Sequence, residues 1–356
     1  MKLVTILGAR PQFIKASAVS RAIQKQGIHE IIIHTGQHFD KNMSDIFFKE
    51  MDIPRPDYNL NINQLGHGAM TGRMIEGIEN VILKEEPDML LVYGDTNSTI
   101  AGALAAKKLL LKVAHVEAGL RSFNMSMPEE INRIVTDRIS DFLFCPTQTA
   151  VENLSREGFN HFSCRVENVG DVMLDASLYY SVLADNKAVV AKSLDLIDNE
   201  YVLCTVHRQE NTDNYDRLKN IFEALEQINK VKEVVLPLHP RTRKILKEKK
   251  IEPGFKIIDP VGYFDIIYLM KHANLILTDS GGMQKEAFFF NKYCITLREE
   301  TEWTELIDNK VNKLAGADKT AIFEIFSELT SKPFKEAGKL YGDGNASAKI
   351  VEILSS

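Results

Sequence analysis

A chain of 356 residues exceeds the roughly 250 to 300 over which one hydrophobic core keeps growing, so two domains are expected. Hydrophobic residues at 44% and charged residues at 26% make an ordinary globular mixture, and a formal net charge of -6 speaks against a nucleic-acid partner. The opening MKLVTILGARP breaks its apolar run at Gly8, Arg10 and Pro11, unlike a signal peptide or a membrane span, and the scattered Cys145, Cys164, Cys204 and Cys294 read as reduced thiols of a cytoplasmic protein.

Residues 3–7, LVTIL, form an apolar run too short for a helix, followed by a turn at Gly8 and a segment with apolar residues at Phe13, Ile14, Ala18, Val19, Ala22 and Ile23 that Gly27 closes. The pattern is strand, tight turn, amphipathic helix, and EIIIHTG restarts it. Met70, Met74, Ile78, Val81 and Ile82 keep helical spacing up to Pro87. MLLVY then leads to Gly94-Asp95-Thr96 and an Ala-rich helix, and KVAHV leads to Glu117 and a loop up to Pro128, where PEEINRIVTDRI opens a helix. DFLFCP, a helix from Thr147 to near Gly158, and RVENVG complete the first half. The polar stretch 184–199 reads as the joint, and YVLCTV, EVVLPL, FKIID, NLILTD and YCITL are five further strands with helices between them. The rhythm predicts an α/β fold of two doubly wound Rossmann-like domains facing a central cleft, over 1–170 and 171–340, with a closing helix in 341–356 that could reach back to the first domain.

In such sheets ligands bind outside the carboxyl ends of the strands. Asp95 and Glu117 each follow an apolar run directly, so two strands would deliver acids to one edge, with Glu129 close by in the next helix. Glu130 reads instead as a partner of the helix dipole. TDSGGMQKEAFFF places Ser280, Gly281 and Gly282 where a strand ends and a helix begins, a place where free backbone N–H groups can hold a phosphate; Glu286 is one turn further and could face a ribose. Arg10 and Lys15 stand at the corresponding turn of the first domain. His207 and His239 end strands of the second domain, where either could contact or protonate a phosphate; His115, inside a strand, reads as core. The histidines show no ligand spacing, so no metal is expected.

GARPQFIK at 8–15, YGDT at 93–96, HVEAGLRS at 115–122, PEEINR at 128–133, VHR at 206–208, and LTDSGG followed by Glu286 together resemble the non-hydrolysing UDP-N-acetylglucosamine 2-epimerases, along nearly the whole chain. The resemblance implies a glycosyltransferase-B fold with the substrate between its domains, no metal or redox cofactor, and a UDP-sugar as ligand. It further implies that UDP leaves carbon 1, a carboxylate takes the carbon 2 proton, and the glycal is reprotonated on its other face before UDP adds back. Asp95, Glu117 and Glu129 would be the acid/base candidates and His207 the partner of the phosphate, with Lys15 near the reacting sugar or phosphate, while Arg10, Ser280, Gly281, Gly282, Glu286 and Arg298 would hold UDP. A homodimer serving polysaccharide precursor synthesis is the matching expectation, with an interface on the apolar helices around Met70 and Ala103.

LREETEWTEL departs from the family's usual TERPE, and Trp303, FFFNK and the FNMSMPEE spacing look like the branch that epimerises UDP-2,3-diacetamido-2,3-dideoxyglucuronate. Both that sugar and UDP-N-acetylglucosamine stay open as substrates. Arg121 or Arg73 could meet the sugar carboxylate, and Trp303 could equally be a core anchor. QHFDKNM at 37–43 keeps only Gln37 and His38 of the segment beside which some members bind an activating nucleotide sugar. A glycosyltransferase on the same fold would share the UDP site but need an acceptor groove, and a catalytically silent nucleotide-sugar sensor would have lost acids that this chain retains.

Overall fold

The computed structural model describes residues 1–37 and 55–356, apart from the Arg10 side chain. The stretch from His38 to Met43 therefore lies outside the described residues. The chain divides into one unit of Met1–Ala176 with Lys339–Ser356 and a second of Ser177–Gly338.

The first unit is built on β1 (Lys2–Leu7), β2 (His29–His34), β3 (Tyr58–Asn59), β4 (Met89–Tyr93), β5 (Lys112–Val116), β6 (Phe142–Cys145) and β7 (Arg165–Asn168), all parallel, in the order β3-β2-β1-β4-β5-β6-β7. Between the strands run α1 (Arg10–Lys25), α2 (His67–Glu85), α3 (Asn97–Lys108), α4 (Pro128–Ile139) and α5 (Gln148–Arg156), followed by α6 (Val172–Lys187). Both faces of the sheet are covered, which is why its strands read as unbroken apolar runs rather than alternating ones. The Ala-rich α3 is the consequence of close packing: a side chain at Gly102 would press on Ile6 and Val92.

The second unit carries β8 (Tyr201–Thr205), β9 (Glu233–Pro237), β10 (Lys256–Ile258), β11 (Leu275–Thr278), β12 (Cys294–Thr296) and β13 (Asn312–Leu314), again parallel, in the order β10-β9-β8-β11-β12-β13. Its helices are α7 (Gln209–Thr212), α8 (Tyr215–Asn229), α9 (Pro240–Lys249), α10 (Tyr263–His272), α11 (Gly281–Phe289), α12 (Thr304–Asp308) and α13 (Lys319–Leu329). A last helix, α14 (Ala346–Ser355), belongs to the first unit, where it packs on α1. The Asp175 carboxylate at the start of α6 accepts from the backbone N–H groups of Ala346 and Ser347 at 3.1 and 2.7 Å and so caps it.

In each sheet the direction of winding reverses once, between β1 and β4 in the first and between β8 and β11 in the second. At such a point the loops after two neighbouring strands part to opposite sides and open a crevice. The two-residue β3 and three-residue β13 escaped the reading of the sequence because each is too short to show a period. The polar stretch 184–199 is not the joint. It lies inside the second unit, where Ala188 and Ala191 are buried against Tyr201 and Leu203 and the Ala191 N–H donates to Asp265 at 2.9 Å. Among the described residues no helix is long and apolar enough to cross a membrane.

Candidate active site

The reversal point of the first sheet is stitched together by Gln12. Its side-chain oxygen accepts from the N–H groups of Gly8 and Ala9 after β1, at 2.8 and 3.0 Å, and its amide nitrogen reaches the Tyr93 carbonyl and the Thr96 and Thr99 hydroxyls beyond β4, at 2.8, 3.0 and 3.0 Å. This fixes the loop that carries Asp95. Gly94, before it, has φ of 61°, and a side chain there would meet the Lys15 ammonium and the Glu117 carboxylate at 3.3 and 3.4 Å. Lys15 on α1 and Glu117 after β5 form a direct ion pair, and both residues are 8% exposed. Glu117 itself has φ of 72°, an uncommon backbone state for a non-glycine residue that aims its side chain back over the sheet edge.

Asp95 is held by another cation. Arg133 on α4 donates to the Asp95 carboxylate at 2.6 Å and to Glu130 at 2.8 Å, and Asn132 donates to the Asp95 carbonyl at 2.8 Å. Glu130 is not merely a helix-dipole partner: it is 1% exposed, and its carboxylate also accepts from the N–H groups of Ser122 and Phe123, both at 2.9 Å, which straps the loop before α4. Burial would raise the Glu130 carboxyl, but those donors and Arg133 outweigh it and hold it below its usual range. Glu129 sits in the same first turn, exposed, and makes no ion pair among the described residues.

Arg121 is not available for a sugar carboxylate. It is 5% exposed, with donors spent on Asp137 at 2.7 Å, on the Leu120 carbonyl at 2.7 Å and on both oxygens of Glu157 at 2.6 and 2.8 Å. Arg73 is exposed on α2.

In the second unit the reversal point is organised by Asp279, fully buried at the end of β11. Its oxygens accept from the backbone N–H of His207 at 3.0 Å, that of Arg208 at 3.0 Å and the Asn211 amide at 3.2 Å. His207 Nδ1 lies 3.2 Å from the same carboxylate, which assigns its proton to that nitrogen and leaves Nε2 of a half-exposed ring for another partner. Ser280 is the N-cap of α11, and Gly281 and Gly282 open it. A side chain at Gly281 would collide with Glu302, whereas Gly282 faces open space. Glu286, one turn on, is buried, and Arg298 is held by Glu302 at 2.9 Å. Trp303 is 4% exposed, with its indole N–H donating to the Gly281 carbonyl at 3.0 Å and the Lys285 ammonium 4.0 Å from its ring centroid, so it anchors the first turn of α11. His239 does another task, accepting from the Arg241 N–H at 3.2 Å as the N-cap of α9.

The structure thus brings Lys15, Glu117 and Asp95 to one reversal point and His207, Ser280, Gly281 and Gly282 to the other, while the Arg10 side chain lies outside the described residues. Asp279 went unmarked in the sequence although it follows the apolar LILT as Asp95 follows MLLVY.

The family model for UDP-N-acetylglucosamine 2-epimerase matches residues 21–355. The chain belongs to this family. Among its relatives is a UDP-2,3-diacetamido-2,3-dideoxy-D-glucuronate 2-epimerase of Pseudomonas aeruginosa, 54% identical over 100% of this chain and 99% of that protein. A UDP-N-acetylglucosamine 2-epimerase of Methanocaldococcus jannaschii is 46% identical, over 100% and 99% of the two chains. The crystal structure of the M. jannaschii enzyme in complex with UDP-GlcNAc and UDP superposes with a TM-score of 0.89 at 45% identity, covering 100% of this chain and 99% of that one. The Neisseria meningitidis UDP-GlcNAc 2-epimerase bound to UDP-GlcNAc gives 0.88 at 32% identity, covering 100% of both. The epimerase resemblance and the paired doubly wound units expected from the sequence are both borne out.

Proposed function

We propose that the protein inverts carbon 2 of a UDP-2-acetamido sugar, with UDP-2,3-diacetamido-2,3-dideoxyglucuronate as its substrate ahead of UDP-N-acetylglucosamine. The observation that carries the reading is the coincidence of the matched motifs with both reversal points, acids at one and a glycine-opened helix at the other. The choice of sugar rests on the relative that acts on it, at 54% identity against 46% for the M. jannaschii enzyme.

Carbon 2 of such a sugar is not beside a carbonyl, so its proton is released only when the carbon 1–oxygen bond to UDP breaks as well. The N–H groups opening α11, with His207 and Arg298, suit the negative charge gathering on the departing diphosphate, and Glu286 suits the ribose. Asp95 and Glu117 suit the proton transfers, held in place by Arg133 and Lys15 respectively. A positioned acid or base contributes about 10²- to 10⁴-fold in rate. Glu129 belongs to the same set by its motif and by its exposure. A homodimer in the cytoplasm, supplying a polysaccharide precursor, completes the reading; sedimentation showing only monomer would remove the dimer.

Proton NMR in deuterated water tests the reaction. Deuterium should enter carbon 2 with a manno product, faster with the diacetamido-glucuronate nucleotide than with UDP-N-acetylglucosamine, and Asp95→Asn or Glu117→Gln should abolish it with UDP binding intact. Tight UDP binding without exchange from either sugar would favour a glycosyltransferase or a sensor.

A further inference from the structure

Three elements carry the candidate acids of the first unit: the loop after β4 with Asp95, the loop after β5 with Glu117, and α4 with Glu129. All three hang on one buried pair that no motif singled out for function. His115 on β5 is fully buried; its Nδ1 lies 2.7 Å from Asp137 on α4, and its Nε2 lies 2.7 Å from the Gly94 carbonyl, one residue before Asp95. The second oxygen of Asp137 accepts from the Gly119 N–H at 3.1 Å, two residues after Glu117, and from Arg121 at 2.7 Å.

We propose that His115 donates from both ring nitrogens, to Asp137 and to the Gly94 carbonyl, and is the positioning residue that sets Asp95 and Glu117 in register. Both of its neighbours are acceptors: a carbonyl oxygen carries no proton to give, and the Asp137 carboxylate is already engaged by two N–H donors on its other oxygen. A neutral imidazole would leave one of its nitrogens lone pair to lone pair with an oxygen, at a depth where an unmade bond is costly. The fixed charges around it are the cation Arg121 and two anions, Asp137 and the Glu157 behind Arg121, which a second cation at His115 would balance. Lys15 and Glu117 lie close to Gly94 as a pair, and the Cys145 thiol on β6 is pushed up by burial and by Asp137. Burial opposes ionisation of Asp137 as well, yet His115 and Arg121 hold its carboxyl below the usual range, as an ionised partner requires.

The positioning role rests on the epimerase reading, but the charge state does not. Nitrogen NMR of the whole protein with labelled histidine, with His115 assigned by the signal lost in His115→Gln, should show both ring nitrogens protonated at neutral pH. An unprotonated ring nitrogen at neutral pH overturns the proposal, whether or not the variant folds well. His115→Gln keeps one donor and loses the charge, so kcat for carbon 2 exchange should fall by about 10²-fold, as a small misplacement of catalytic groups does, with UDP affinity unchanged. Unchanged kcat, or a loss confined to KM, overturns the positioning role. Failure of the wild-type protein to exchange carbon 2 would instead remove the epimerase reading and leave the imidazolium signature standing.

Discussion

Asp95 and Glu117 at the first reversal point are each held by a cation, and the two pairings are built differently. Lys15 meets Glu117 with both residues nearly out of solvent, so removing either leaves an uncompensated charge in a poor dielectric. Arg133 is shared between the partly exposed Asp95 and the buried Glu130, so Glu130 acts on Asp95 at one remove. Glu130 also gives a pH signature. Its folded carboxyl binds a proton less tightly than the ordinary value of 4.5, so between the two values the unfolded chain holds more protons and stability rises with pH. The contribution is complete above 4.5 and is lost as pH falls through the folded value. Glu130→Gln should therefore be less stable than the parent in urea at neutral pH, with a difference that shrinks on acidification; a difference independent of pH would refute this account. The sequence displayed Asp95 and Glu117 because a carboxylate straight after an apolar strand, or one residue further on, is conspicuous. Gln12, Arg133 and Asp279 were harder to see, since their roles lie in partners 81, 38 and 72 residues away, and no local pattern records such a pairing.

At the scale of the element, α11 is the part whose opening turn is most constrained. Trp303 grips the Gly281 carbonyl, Glu302 fills the space where a side chain at 281 would go, and Asp279 just before the helix fixes the His207 loop. Gly281→Ala must displace Glu302, and with it the partner of Arg298, whereas Gly282→Ala enters open space that a phosphate would need. Calorimetry should find UDP binding weakened in both variants, with thermal stability reduced in the first alone. Equal UDP affinity in Gly282→Ala and the parent would separate this helix end from the nucleotide. Strand and helix types were legible here because NLILT is a pure apolar run and SGG a clear break; Trp303 was not, since its choice between ligand and anchor is made by a carbonyl 22 residues away.

For the whole molecule, the alternation of strands and helices was enough to give two doubly wound sheets, because parallel strands need helical crossovers and those crossovers have one hand. The position of the crossing from one unit to the next was not legible: α6 runs on from Val172 to Lys187 without a break, and the boundary falls inside it. The cap on α14 lies just before that boundary, so Asp175→Ala should destabilise the first unit by about 1 kcal/mol through the two N–H groups it exposes, and hydrogen exchange should rise in α14 and α1 while the sheet of the second unit stays protected. Uniform loosening of both units would contradict that division.

The return of α14 to α1 also orders events during synthesis. Residues 177–338 leave the ribosome as an uninterrupted stretch with their own sheet and cores, while the first unit waits for a helix made only after them. The unit whose strands come first in the chain is thus finished after the second one, and the surface of α1 that α14 will cover stays bare until residues 346–355 have been made.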